Sequence, residues 1–176
     1  MTRRVSSDRL RERFDEFNEI GATDRGGVNR PSLSDENRRA RDTLVEWFEA
    51  AGLTVTVDEL GNIFGRRSGR NDDLPPVLVG SHVDSQYNGG RYDGVVGVLG
   101  ALEALETLDD EGIETARPVE VVAWSNAEGV RFQPDMLGSG VYAGHFDLEF
   151  AHDLTDEEGR RFGDELERIE IGRAHV

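Results

Sequence analysis

Two short stretches of this 176-residue chain carry residue types that can do chemistry. The first is Gly80-Ser-His82-Val-Asp84-Ser85, followed closely by Asn88-Gly-Gly-Arg-Tyr-Asp93-Gly94. A neutral imidazole at His82 can donate a lone pair to a divalent ion. Asp84, two residues on along extended chain, points the same way and can hold the other ring nitrogen, orienting His82. Asp93 stands just before an apolar run, where free backbone N–H groups at a helix start, or a bridged cation, stabilise a carboxylate. The second stretch is Trp124-Ser-Asn126-Ala127-Glu128-Gly-Val-Arg131-Phe132, in which an apolar strand runs straight into an amide, a carboxylate and a glycine. Each stretch has a plain structural alternative: a hydrogen-bonded histidine with an aspartate helix cap, and a solvated Glu128 paired with Arg131. Together they present one imidazole and three carboxylates, the N/O donors that hard divalent cations take. His145 and His152 lack such a context and read as surface residues.

Bringing the two stretches together requires strands that end at one edge. Ser7, Leu10, Phe14 and Phe17 have the i, i+3/i+4, i+7 spacing of an amphipathic helix ending near Gly21, and residues 21–31 read as a loop. Ser34 reads as an N-cap before two acids, with helix through Ala40, Leu44, Val45, Trp47 and Phe48 and a stop at Gly52. Leu53, Val55 and Val57 alternate with threonines in a half-buried strand, and Gly61-Asn62 turns into a hairpin partner at residues 63–66. Residues 76–80 are expected to form a strand buried on both faces, Val95 to Leu108 a buried helix packed closely on the sheet through glycines, and Val119 to Trp124 a further core strand. Strand, helix, strand in that order predicts a right-handed βαβ crossover in an α/β layered domain, whose ligands bind at the carboxyl ends of the strands. The chain beyond Asp153 is charged and weakly helical.

Composition narrows the function classes. The chain carries 36 acids against 20 basic residues, all of them arginine, for a formal net charge of −16. Residues 1–45 are close to neutral, so the excess acid lies downstream. Such a surface disfavours general affinity for nucleic acid or anionic membrane. The absence of cysteine removes disulfides, thiolate metal sites and a cysteine nucleophile. No targeting segment or membrane-spanning run is evident, and a cytoplasmic protein is expected. Surplus carboxylate without lysine suits a protein kept in solution at high salt, and a halophilic source is expected.

The motifs Gly80-Ser-His-Val-Asp-Ser, Asn88-Gly-Gly-Arg-Tyr-Asp-Gly, Asn126-Ala-Glu-Gly-Val-Arg-Phe and Met136-Leu-Gly-Ser-Gly-Val-Tyr-Ala-Gly resemble the hydantoinase/carbamoylase amidase family. That group includes N-carbamoyl-L-amino-acid hydrolases, β-ureidopropionases and allantoate amidohydrolases, and the likeness runs from about Leu10 to about Ile169. The resemblance implies a zinc-exopeptidase-like α/β domain, a mixed sheet flanked by helices, truncated before a lid and dimerisation domain. It implies two divalent metal ions (zinc, manganese or cobalt), with His82 on one, Asp93 bridging both, Glu128 on the other, and Asp84 orienting from behind. The implied reaction is metal-dependent hydrolysis of a C–N bond in a small N-carbamoyl amino acid or ureido compound. The implied partners are that small-molecule substrate and a second subunit in a full-length homodimer. A related metal exopeptidase or amino-acylase, or a non-catalytic metal-binding or assembly module of the same fold, are the alternatives.

Two departures from the family pattern matter. Where the family reads Asn-Glu-Glu-Gly, its first Glu being the general base, this chain has Ala127, and a methyl group accepts no proton. The family's chains are also more than twice as long, and their remaining metal ligands and substrate clamp lie downstream. Residues 1–169 are therefore expected to be the N-terminal part of the catalytic domain, with an unpaired sheet edge and uncovered apolar surface. The ending Ile171-Gly-Arg-Ala-His175-Val176 departs from the family and can be back-translated to a common sequencing adapter, so residues 170–176 are expected to be non-native and His175 no ligand.

Overall fold

In the computed structural model residues 5–169 are described, which leaves the expectation about residues 170–176 and His175 outside them. The first turns form where side chains satisfy free backbone donors. Ser6 Oγ accepts from the Arg9 N–H and opens α1 (Ser7–Glu19), and Ser34 Oγ accepts from the Asn37 N–H and opens α2 (Asp35–Ala50). Leu44 and Phe48 of α2 are fully buried, one turn apart on the same face. At its end the chain turns through Gly52 into β1 (Thr54–Val57), and a turn at residues 58–62, held by the Asp58 carboxylate on the Leu60 and Asn62 N–H groups, leads into β2 (Ile63–Arg67).

The rest of the sheet is β3 (Val77–His82) and β4 (Val119–Trp124), joined by α3 (Val95–Asp110). The strand order is β1-β2-β4-β3. β1 and β4 each run antiparallel to β2, and β3 runs parallel to β4. The mixed sheet and the βαβ unit expected from the sequence are thus present. α1, α2 and α3 enclose the main core on one face of the sheet, where Phe17, Leu44, Phe48, Ile63, Val98, Leu99, Leu102, Val121 and Ala123 are buried together.

β3 departs from expectation. The apolar run at residues 76–80 reads as a strand buried on both faces, yet Val77 and Val79 are 50% and 42% exposed. β3 is the edge strand of the sheet among the described residues, with a neighbour on one side only. The α3 flank beside it is open as well: Val96 is 52% exposed, and a Cβ added at Gly100 would meet nothing within 4 Å. The glycine-mediated contact of α3 with the sheet exists at Gly97, where a Cβ would press on the Ser81 side chain at 2.6 Å, and not at Gly100.

The chain after β4 is more structured than its charge suggests. α4 (Leu137–Tyr142), α5 (Leu148–Asp153) and α6 (Phe162–Arg168) surround a second apolar cluster made by Leu33, Leu60, Phe132, Leu137, Ala151, Phe162 and Leu166. Arg131 ties it together from beneath, donating to Asp156, Glu165 and the Ser32 carbonyl. No helix among the described residues is long and apolar enough to cross a membrane.

Candidate metal centre

The parallel register sets the site. It runs from Val77 opposite Val119 to His82 opposite Trp124, so both strands end at the same level. The loops that follow, residues 83–94 and 125–136, therefore leave from one edge, where α/β sheets hold their ligands. At that edge one ligand atom each from His82, Asp93 and Glu128 lie within 4.8 Å of one another. His82 and Glu128 are half-buried and Asp93 is exposed.

His82 is oriented by main chain. Its Nδ1 lies 3.0 Å from the Asp84 carbonyl oxygen, whereas the Asp84 carboxylate is 3.6 Å away, too far for a good hydrogen bond. An Nδ1–H donating to that carbonyl leaves Nε2 as the lone-pair donor. Asp84, expected to orient the ring through its carboxylate, meets it here through its carbonyl oxygen. The ring's flat side rests against the start of α3. A Cβ at Gly94 would sit 2.5 Å from both ring nitrogens, and Gly94 also has φ +68°, so position 94 admits no side chain.

Asp93 does not cap α3. The N-cap is Gly94, with no side-chain cap bond, and Asp93 contributes its carbonyl to the Val95 N–H. Its carboxylate is thereby free of the structural duty that the sequence offered as an alternative. Glu128 likewise makes no pair with Arg131, which is engaged by Asp156 and Glu165. Instead Glu128 Oε2 accepts from Gln86 Nε2 at 2.6 Å.

The Asp84 carboxylate holds the two loops together. It is 2% exposed and accepts from the Ala127 N–H at 3.3 Å and the Glu128 N–H at 3.1 Å. Burial pushes its carboxyl up, against the two N–H groups and His82, which act to lower it. Two buried arginines bracket this region. Arg30 exchanges main-chain and hydroxyl hydrogen bonds with Ser85 and sends its guanidinium to the Val83, Phe17 and Ile20 carbonyls. Arg41 reaches the Ser125 hydroxyl and the Gly61 carbonyl. Burial pushes each guanidinium down to about 10, and the Asp84 charge opposes that in both. These arginines and Gln86 were missed from the sequence. Arg41 had a signal: it shares the helical face of Asn37, Leu44 and Phe48, where a charge is out of place unless it is partnered.

Ala127 sits beside Glu128 with its N–H on Asp84, and its methyl offers no proton acceptor. His145 packs on Phe146 and His152 bonds the Glu59 carbonyl, so neither joins the cluster, as expected. Among the described residues, His82, Asp93 and Glu128 form the sole convergent group of this kind.

Residues 62–156 match the family model of peptidase family M28. An N-carbamoyl-L-amino-acid amidohydrolase of Rhizobium meliloti is 48% identical over 167 residues, which cover 95% of this chain and 40% of that protein. Allantoate deiminase 1 of Glycine max is 41% identical over 121 residues, covering 68% of this chain and 25% of its own length. The crystal structure of a hydantoinase/carbamoylase family amidase from Burkholderia ambifaria superposes with a TM-score of 0.96 at 45% identity, over 98% of this chain and 42% of that one. The chain thus spans about 40% of the length of the carbamoyl amidohydrolase it matches.

Proposed function

Because the chain belongs to peptidase family M28, alongside the hydantoinase/carbamoylase amidases, we propose that it is part of a metal-dependent hydrolase of C–N bonds in small N-carbamoyl amino acids or ureido compounds. The observation that carries the reading is the convergence of His82, Asp93 and Glu128 within 4.8 Å, delivered by the end of β3 and by the loops that follow β3 and β4. The donor set fits divalent cations: one imidazole nitrogen and two carboxylates, with no thiolate. It selects none among zinc, manganese and cobalt. In this reading His82 would hold one ion, Glu128 another, and Asp93 would serve both. Bound, such ions supply Lewis acidity at the scissile carbonyl and a water of lowered pKa.

The protein's own part is placement and proton handling. The Asp84 carbonyl keeps the His82 ring in one tautomer, and the Asp84 carboxylate holds the backbone from which Glu128 projects. With cations held there, the edge would be electrostatically suited to negative charge on a substrate. What it lacks is a proton acceptor at position 127, where the family pattern carries Glu. Loss of a general base of that kind removes roughly 10²–10⁴-fold of rate. Ala127 thus favours a second reading beside the first, a metal-binding module of the same fold without turnover. Residues 1–169 form the N-terminal part of the catalytic domain in the first reading, and a full-length cytoplasmic homodimer is its assembly.

The experiment has two parts. Calorimetric titration of this chain with Zn²⁺, Mn²⁺ and Co²⁺ should show binding that His82→Ala abolishes; equal binding by that variant discards the site. In a protein of the relatives' full length bearing these residues, Ala127→Glu should raise hydrolysis of N-carbamoyl amino acids or allantoate by at least 100-fold on the scale of general-base effects. An unchanged rate rejects the missing-base reading.

A further inference from the structure

The geometry points to Gln86 as a positioning residue for the metal centre: its amide, donating to Glu128 Oε2 at 2.6 Å, holds the Glu128 carboxylate where it meets His82 and Asp93. The inference rests on the metal reading above and adds to it a residue that neither the sequence motifs nor the donor set singled out.

The backbone of Gln86 is fixed although its side chain is exposed. The Gln86 carbonyl accepts from both the Ser85 hydroxyl at 2.9 Å and the Gly89 N–H at 3.1 Å. Asn88 completes the turn with φ +52°. Gly89 is in turn pinned to the loop after α1 by two hydrogen bonds with Val28, at 3.0 and 2.8 Å. The amide therefore starts from a firm base, which lowers the entropy lost in holding its bond to Glu128.

Glu128 needs such a hold. Its carboxylate lies at the end of a flexible side chain, on a loop, at a half-buried edge. The Asp84 carboxylate secures only its backbone N–H. A hydrogen bond from a neutral amide to a carboxylate is charge-assisted and short, as 2.6 Å shows, and it adds no positive charge to repel a cation. An arginine there would neutralise Glu128 and compete with the ion; a glutamine aims it and leaves its charge in place. Asp84 and Gln86 then act as a two-point grip, one on the main chain and one on the side chain, both from the segment that carries His82. Partners of this sort change metal affinity by about 10- to 100-fold. The exposure of Gln86 places the effect at the lower end, about tenfold.

The test compares the unsubstituted chain with Gln86→Met, which keeps the length and loses the donor, and Gln86→Ala. Each is titrated with Co²⁺, followed by calorimetry and by the visible absorption of the bound ion, which reports its coordination geometry. Both variants should bind about tenfold more weakly, with an altered absorption band and an unchanged thermal midpoint of the metal-free protein. Gln86→Met binding as tightly as the parent, with the same band, overturns the inference. His82→Ala separates the two levels: if it abolishes binding while the Gln86 variants change nothing, the metal site stands and the role of Gln86 falls. Binding that His82→Ala leaves intact, or none by the parent chain, overturns both.

Discussion

Gly94 is where the site is least tolerant. Its backbone, with φ +68°, fills the space against the His82 ring that any Cβ would need. Gly94→Ala should therefore displace the imidazole and lower metal affinity by at least tenfold, on the scale of disturbed ligand orientation. Calorimetry would measure the loss, and circular dichroism should show the helices retained. Asp84→Asn should act on two properties at once. An amide turns an N–H₂ group toward one of two buried N–H donors, which costs about 1–3 kcal/mol of stability. Metal binding should weaken alongside, because the Glu128 backbone loses a partner. Denaturant unfolding with parallel metal titration would check both, and a stable variant of unchanged affinity would contradict the grip assigned to Asp84. At this scale the sequence was partly legible. His82 and Glu128 could be picked out because polar residues where apolar strands end are conspicuous, and Asp93 because it stands just before the apolar run of α3. Gln86 and Arg30 could not, since nothing in their neighbours' types reveals what they touch.

Helix α1 is held to α3 by charge as well as by apolar packing. Glu103 is fully buried on α3, and its carboxylate accepts from the Arg9 guanidinium, the Ser6 N–H and the Thr107 hydroxyl. Desolvation works to raise this carboxyl, but Arg9, Ser6 and Thr107 together hold it below the ordinary glutamate value of 4.5. A lowered folded-state pKa contributes stability that is present above the unfolded value and lost as pH falls through the folded one. Glu103→Gln should accordingly cost about 2 kcal/mol near neutral pH, the scale of charged hydrogen bonds at a partly exposed pair. The gap in thermal midpoint between parent and variant should close below pH 4.5; a gap that widens there would contradict the pairing. The elements themselves were mostly readable. Ser34 announced α2 through its capping chemistry, and Thr54 to Val57 announced β1 through alternation. β3 misled because Val77-Leu-Val79 reads the same in the middle of a sheet or at its margin. Strand order is decided by tertiary packing, which a local run of residues does not encode.

The whole molecule carries a net charge of −16 with no lysine, and much of its arginine is spent within ion pairs such as Arg131 with Asp156 and Glu165. Unpaired carboxylates repel across distances that roughly 0.1 M salt, with a Debye length of about 10 Å, only partly screens. The thermal midpoint should rise between 0.1 and 2 M KCl; a fall would count against a halophilic design. The α/β class and the layered architecture were legible at this scale from the strand–helix–strand rhythm. The cluster around Phe132 and Phe162 was not, because its apolar residues are scattered through charged segments and meet only in three dimensions. The outer margin of β3 has a last consequence. Its main-chain donors and acceptors on the side away from β4 have no strand beside them among the described residues, and the row ends at His82. A strand laid along that margin would bring its own terminus to the corner where His82, Asp93 and Glu128 converge. Extending the sheet and finishing the coordination sphere would then be a single event, so cation occupancy would report on assembly, and assembly on cation supply.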